Sequence, residues 1–137
     1  MYKLDPYLSV NRCYRRLHAD YNQHKSLIIA VDFDNTIYDY HQKGRQFPQV
    51  LDLLKRCNAL GFKLVIFTAN KDKQLIWTTC TDLEIEITGI NENVLTGFSS
   101  SDKIYYNILL DDRAGLKQSY DTLLKLVTSI EEENKTK

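Results

Sequence analysis

Four apolar runs of strand length mark the chain, and three of them end abruptly in polar groups. The first, Leu27-Ile28-Ile29-Ala30-Val31, is rich in β-branched residues and closes on Asp32-Phe33-Asp34-Asn35-Thr36. A run of that length and composition suits a strand buried on both faces, as in the centre of a parallel sheet. Lys63-Leu64-Val65-Ile66-Phe67-Thr68 is a second such strand, a weaker one falls near 86–90, and Asn107-Ile108-Leu109-Leu110 precedes Asp111-Asp112. Between these runs the apolar positions recur at steps of three and four, the spacing of amphipathic helices.

The first helix is expected over residues 5–23, with Asp5 as N-cap and Pro6 at the first helical position. Tyr7, Val10, Tyr14, Leu17 and Tyr21 form its seam, with Arg12, Arg15 and Arg16 largely off it. Such a stripe covers a sheet, or serves as a self-association seam that makes a homo-oligomer. Residues 38–46 alternate polar and aromatic side chains around Gly44, which suggests a short hairpin or flap. Pro48 opens a helix to about Leu60, with Val50, Leu51, Leu54 and Cys57 inward and Gly61 at the C′ position. A third helix is expected over 72–83, with Ile76, Cys80 and Leu83 inward. A loop rich in Asn, Gly and Ser follows at 91–101. The last helix spans 116–130, and 131–137 reads as a disordered tail. Strands alternating with helices predict a three-layer, doubly wound parallel α/β sheet in one domain over residues 1–137, with 1–25 as its N-terminal helix.

Composition narrows the function classes. Lys+Arg and Asp+Glu both number 18, so net charge points to neither nucleic acid nor a membrane surface. The 3 cysteines and 3 histidines show no metal-ligand spacing. Cys57 and Cys80 fall on apolar helix faces, as reduced thiols of a cytoplasmic protein do. No apolar run is long enough to span a bilayer, and the polar N-terminus is unlike a signal peptide.

The chemistry lies at the strand ends. In open α/β sheets, ligands bind beyond the carboxyl ends of the strands. Parallel strands bring Asp32 and Asp34, Thr68, and Asp111 and Asp112 to that one edge. While the chain stays extended, Asp32 and Asp34 leave on the same side, where they repel unless a cation or a shared proton intervenes. A strand followed by an Asx turn accounts for either aspartate alone. Several converging carboxylates call for a hard cation such as Mg²⁺, which favours carboxylates, waters and phosphate oxygens. A hydroxyl and a lysine nearby equip the edge for phosphoryl transfer.

In order and placement these residues resemble the motifs of the haloacid dehalogenase superfamily of phosphohydrolases. Asp32-Phe33-Asp34-Asn35-Thr36 matches DxDx(T/V), Thr68 the strand-ending hydroxyl, Lys103 the lysine, and Asp111-Asp112 the acidic pair. The resemblance covers residues 27–116. The stretch from Asp102 to Arg113 is similar to the 5′(3′)-deoxyribonucleotidase branch and to small uncharacterised phage and bacterial relatives. It implies that Asp32 is the nucleophile that forms an aspartyl-phosphate and Asp34 the general acid/base. Asp32, the Asp34 carbonyl and Asp111 would hold Mg²⁺, with Asp112 ligating or acting through water; strand alternation favours Asp111 as the direct ligand. Thr68, Asn70 and Lys103 would bind the phosphoryl oxygens.

Two departures stand out. Lys103 lies eight residues before the acidic pair, closer than in many members, which leaves Lys71 as an alternative. Neither interval between motifs has room for a cap domain, so a capless member is expected, open to large substrates. The sequence thus predicts a Mg²⁺-dependent phosphomonoesterase acting on nucleotides or nucleic-acid ends. The competing reading is a non-hydrolysing phosphate- or phosphoprotein-binding module on the same fold.

Overall fold

Among the described residues, side-chain caps open two of the helices. In the computed structural model, which describes residues 3–95 and 102–137, Pro6–Leu8 form one 3-10 turn and helix α1 spans Val10–His24. The N-cap is Ser9, whose hydroxyl accepts the Arg12 N–H at 3.4 Å. Asp5, the expected cap, offers only its carbonyl, to Leu8. The extended backbone at Ser9 separates the turn from the helix, so the seam divides too. Tyr7 and Val10 are 59% and 56% exposed, whereas Leu17 is buried and Tyr14 and Tyr21 pack on the core.

Strand β1 is Ile28–Val31, helix α2 Pro48–Ala59, strand β2 Lys63–Ile66, helix α3 Lys73–Asp82 and strand β3 Gly89–Ile90. Strand β4, Ile108–Leu110, leads into helix α4, Leu116–Lys135. Gly61 follows α2 at φ +81, the left-handed C′ conformation that glycine adopts without strain. Asp72 caps α3 by accepting the Leu75 N–H at 3.0 Å. The weak third strand is shorter than expected because Asn58 binds both backbone groups of Glu86 with its side chain.

The four strands are all parallel, in the order β3-β2-β1-β4. Ile29 aligns with Leu64 and Ile108, and Val31 with Ile66 and Leu110, so these residues share one face. Helices α1, α2, α3 and α4 bury Leu17, Leu53, Leu54, Ile76, Cys80, Leu123 and Leu126 in the cluster on that face. Ile28, Ala30 and Val65 turn to the other face, where Ile104, Val94, Tyr106 and Leu109 cover them. The protein is therefore an α/β fold on a parallel sheet. Among its described residues, the helices lie on one face, whereas the expected three layers place them on both. The connection from β3 to β4 carries no helix in its described residues because it lacks a helical apolar repeat; the rest of that loop lies outside them.

Two further expectations change. Residues 38–46 form turns instead of a hairpin, braced by Gln42 donating to the Tyr38 hydroxyl and the Asp39 carbonyl and by the Arg45 N–H on Asp39. The expected disordered tail is helical as far as Lys135, since Glu131 pairs with Arg56 of α2 at 2.6 Å. Arg56 holds the Glu131 carboxyl below its usual range. No helix among the described residues is long and apolar enough to cross a membrane.

Candidate active site

The edge of the sheet is built from the turn that ends β1. The Asp32 N–H still donates to Leu110 of β4 at 2.8 Å, the last rung of the ladder. Phe33 is fully buried and its carbonyl accepts the N–H groups of Thr36, Ile37 and Tyr38. Asn35 takes the left-handed conformation, φ +61, which asparagine tolerates better than most residues. The chain thus folds back on the Phe33 anchor. Asp32 and Asp34 flank that anchor and both line the cleft.

Thr36, fully buried, is drawn under the two carboxylate strand ends. Its Oγ1 accepts the Asp112 N–H at 3.2 Å and lies 3.3 Å from Asp32 Oδ2 and 3.4 Å from Asp112 Oδ1. One hydroxyl proton serves one carboxylate at a time, so Thr36 bridges the first and last strand ends. It stands in the DxDxT motif, which was the signal available for it.

Asp32, Asp111 and Asp112 each offer an oxygen within 4.8 Å of the others. Asp34 is outside this group, so among the expected metal residues only its carbonyl is left for that role. Both members of the acidic pair contribute, because the chain turns after Leu110 and strand alternation no longer separates them. The Asp111 carboxylate accepts the Arg113 N–H at 2.9 Å in an Asx turn. Burial, followed by the hydrogen bond to Asp112 and the charges of Asp111 and Asp112, pushes the Asp32 carboxyl up to about 7. Three oxygen ligands that repel one another form a donor set that fits a hard divalent cation.

The second strand end supplies neutral groups. Thr68 Oγ1 accepts the Asn70 N–H at 3.0 Å, which leaves the hydroxyl proton to donate to an anion. Asn91, after β3, binds both the N–H and the carbonyl of Thr68 at 2.8 Å. The sequence reading missed that clamp, although Asn91 follows an apolar run as the other site residues do. The Asn70 amide donates to Asp34 Oδ1 at 3.1 Å. Tyr40, His41, Phe67, Ala69 and Arg113 complete a cleft of about 620 Å³ around Asp32, Asp34, Thr68, Asp111 and Asp112.

Lys103 is not among the residues that line this cleft. It is exposed, and its neighbour Ile104 is packed on the second face of the sheet. Tyr105 and Asn107 lie at the opposite edge, beside His24 and Lys63. Lys71 is exposed and does not line the cleft either. Among the described residues, the Arg113 guanidinium and the His41 imidazole do line it.

Fold and site together define an α/β protein with a parallel four-stranded sheet and an acidic cleft at its carboxyl edge. No family model and no curated protein matches the chain. A conserved protein from Bacteroides thetaiotaomicron has a similar solved structure, with a TM-score of 0.58 and 23% identity. The similarity covers 73% of this chain and 91% of that one, and it extends to the fold.

Proposed function

We propose that the protein is a Mg²⁺-dependent phosphomonoester hydrolase on a capless core like that of the haloacid dehalogenase phosphohydrolases. The observation that carries this reading is the meeting of Asp32, Asp111 and Asp112 within 4.8 Å, beside Asp34 and Thr68. Structural carboxylates do not need such crowding, whereas phosphoryl transfer uses it.

Asp32, Asp111 and Asp112 would hold the cation. Bound there, Mg²⁺ would keep Asp32 ionised and offset charge on the phosphoryl oxygens. The Thr68 hydroxyl donates to one of those oxygens. An Asp32 oxygen attacks phosphorus as the bond to the leaving oxygen breaks, and that oxygen takes its proton from Asp34. A water then attacks the aspartyl-phosphate and gives its proton to Asp34. Phosphate leaves and the Asp32 carboxylate is restored. The uncapped cleft suits phosphorylated metabolites, nucleotides or a nucleic-acid end.

Hydrolysis of p-nitrophenyl phosphate with and without Mg²⁺ tests the reading. Turnover that EDTA abolishes and Mg²⁺ restores is the expected result. Phosphate binding with no turnover of any phosphomonoester would make the protein a binding module instead.

A further inference from the structure

We infer that Asn70 is a positioning residue that fixes the Asp34 carboxylate from the neighbouring strand end, not a ligand of the phosphoryl group. The inference rests on the reading of Asp34 as acid/base. Two hydrogen bonds define the orientation of the amide. Asn70 Oδ1 accepts the Asp72 N–H at 2.9 Å, which places Nδ2 on the other side, where it donates to Asp34 Oδ1 at 3.1 Å. Exchanging the amide oxygen and nitrogen would break both bonds, facing an N–H with a donor and a carboxylate with an acceptor.

The backbone of the same residue is also engaged, since its N–H donates to Thr68 Oγ1. Asn70 therefore ties the hydroxyl that ends β2, the first turn of α3 and the carboxylate after β1 into one frame. Its acceptor oxygen is of no use to a phosphoryl oxygen, and Asn70 is not among the residues that line the cleft. Asp34 is held at Oδ1 only; among the described residues no donor reaches Oδ2, which is left to exchange the proton. A proton transfer needs that oxygen near the leaving atom, and a freely turning carboxylate spends less time there.

Two variants separate this role from a structural one. Asn70→Asp keeps an acceptor for the Asp72 N–H but loses the amide donor to Asp34, whereas Asn70→Ala loses both. Both should slow single-turnover phosphorylation by glycerol phosphate, a poor leaving group, by about 10- to 100-fold. In single-turnover phosphorylation by p-nitrophenyl phosphate, a step that precedes the attack of water and whose leaving group departs without protonation, the loss should stay within about threefold. Inhibition of Asn70→Ala by inorganic phosphate should match the wild type. Equal losses in single-turnover phosphorylation by both substrates, or weakened phosphate binding with kcat intact, would overturn the inference while the phosphatase reading stands. If the wild-type protein hydrolyses neither substrate, that reading fails. The Asn70 side-chain amide resonance then decides: it should shift in folded Asp34→Ala, and an unmoved resonance would overturn the positioning role.

Discussion

Asp32 titrates where it does because burial and two neighbouring carboxylates act on it together, and this has a consequence for stability. Its carboxyl stands at 3.8 in the unfolded chain and is pushed up to about 7 in the folded, cation-free protein. Between those values the folded state holds a proton that the unfolded state has lost. Stability therefore falls as pH rises from about 4 to 7, and the loss is complete above 7. Melting in EDTA at pH 5 and pH 8 should show this fall in the wild type and a flatter profile in Asp32→Asn. Mg²⁺ should raise the wild-type melting temperature more at pH 8 than at pH 5. An EDTA profile no steeper for the wild type than for Asp32→Asn would remove the crowding from the account. At this scale the sequence was informative about which residues meet, since Asp32, Asp34, Thr68 and the acidic pair all reach one cleft. It was silent on what joins them. The Thr36 bridge and the Asn91 clamp depend on distances between strand ends, which spacing along the chain does not encode.

Helix α1 delivers the chain to the amino end of β1 through a short connection, and none of its residues lines the cleft. Tyr14 packs on the core with the Lys125 ammonium 4.1 Å from its ring centre, and Tyr21 meets Phe62 edge to face. Arg12, Arg15 and Arg16 stay exposed. Changing all three arginines to alanine should leave kcat/KM for a small phosphomonoester within about threefold, under about 1 kcal/mol. Tyr14→Ala should lower the unfolding midpoint through lost packing. A large loss of activity in the arginine variant, with its melting temperature unchanged, would place α1 at the active site. The helical period was legible here, but its start was not. Pro6 and Ser9 both carry initiation signals, and the extended backbone at Ser9 decided between them. At the other terminus, the charged run from Glu131 reads as tail until its partner Arg56, 75 residues earlier, is brought alongside.

The alternation of apolar runs and helical stripes conveyed the parallel sheet and its polar carboxyl edge, because burial on both faces and strand-end polarity are written locally. It did not convey how the second face is covered. There the β3–β4 connection lays Val94, Ile104 and Tyr106 against Ile28, Ala30 and Val65. Lys103 lies on that same connection and is not among the residues that line the cleft. Arg113 and His41 line the cleft instead, with Tyr40 and Phe67 exposed beside them. In the proposed reaction Asp32 is the group that receives the phosphoryl. Acid quenching of the protein during turnover of an aryl phosphate with Mg²⁺, followed by mass spectrometry of its peptides, tests this directly. One added phosphoryl group on the peptide carrying Asp32, absent from Asp32→Asn, is the predicted result. Full-rate hydrolysis by Asp32→Asn, or a phosphoryl group trapped on another residue, would contradict the account.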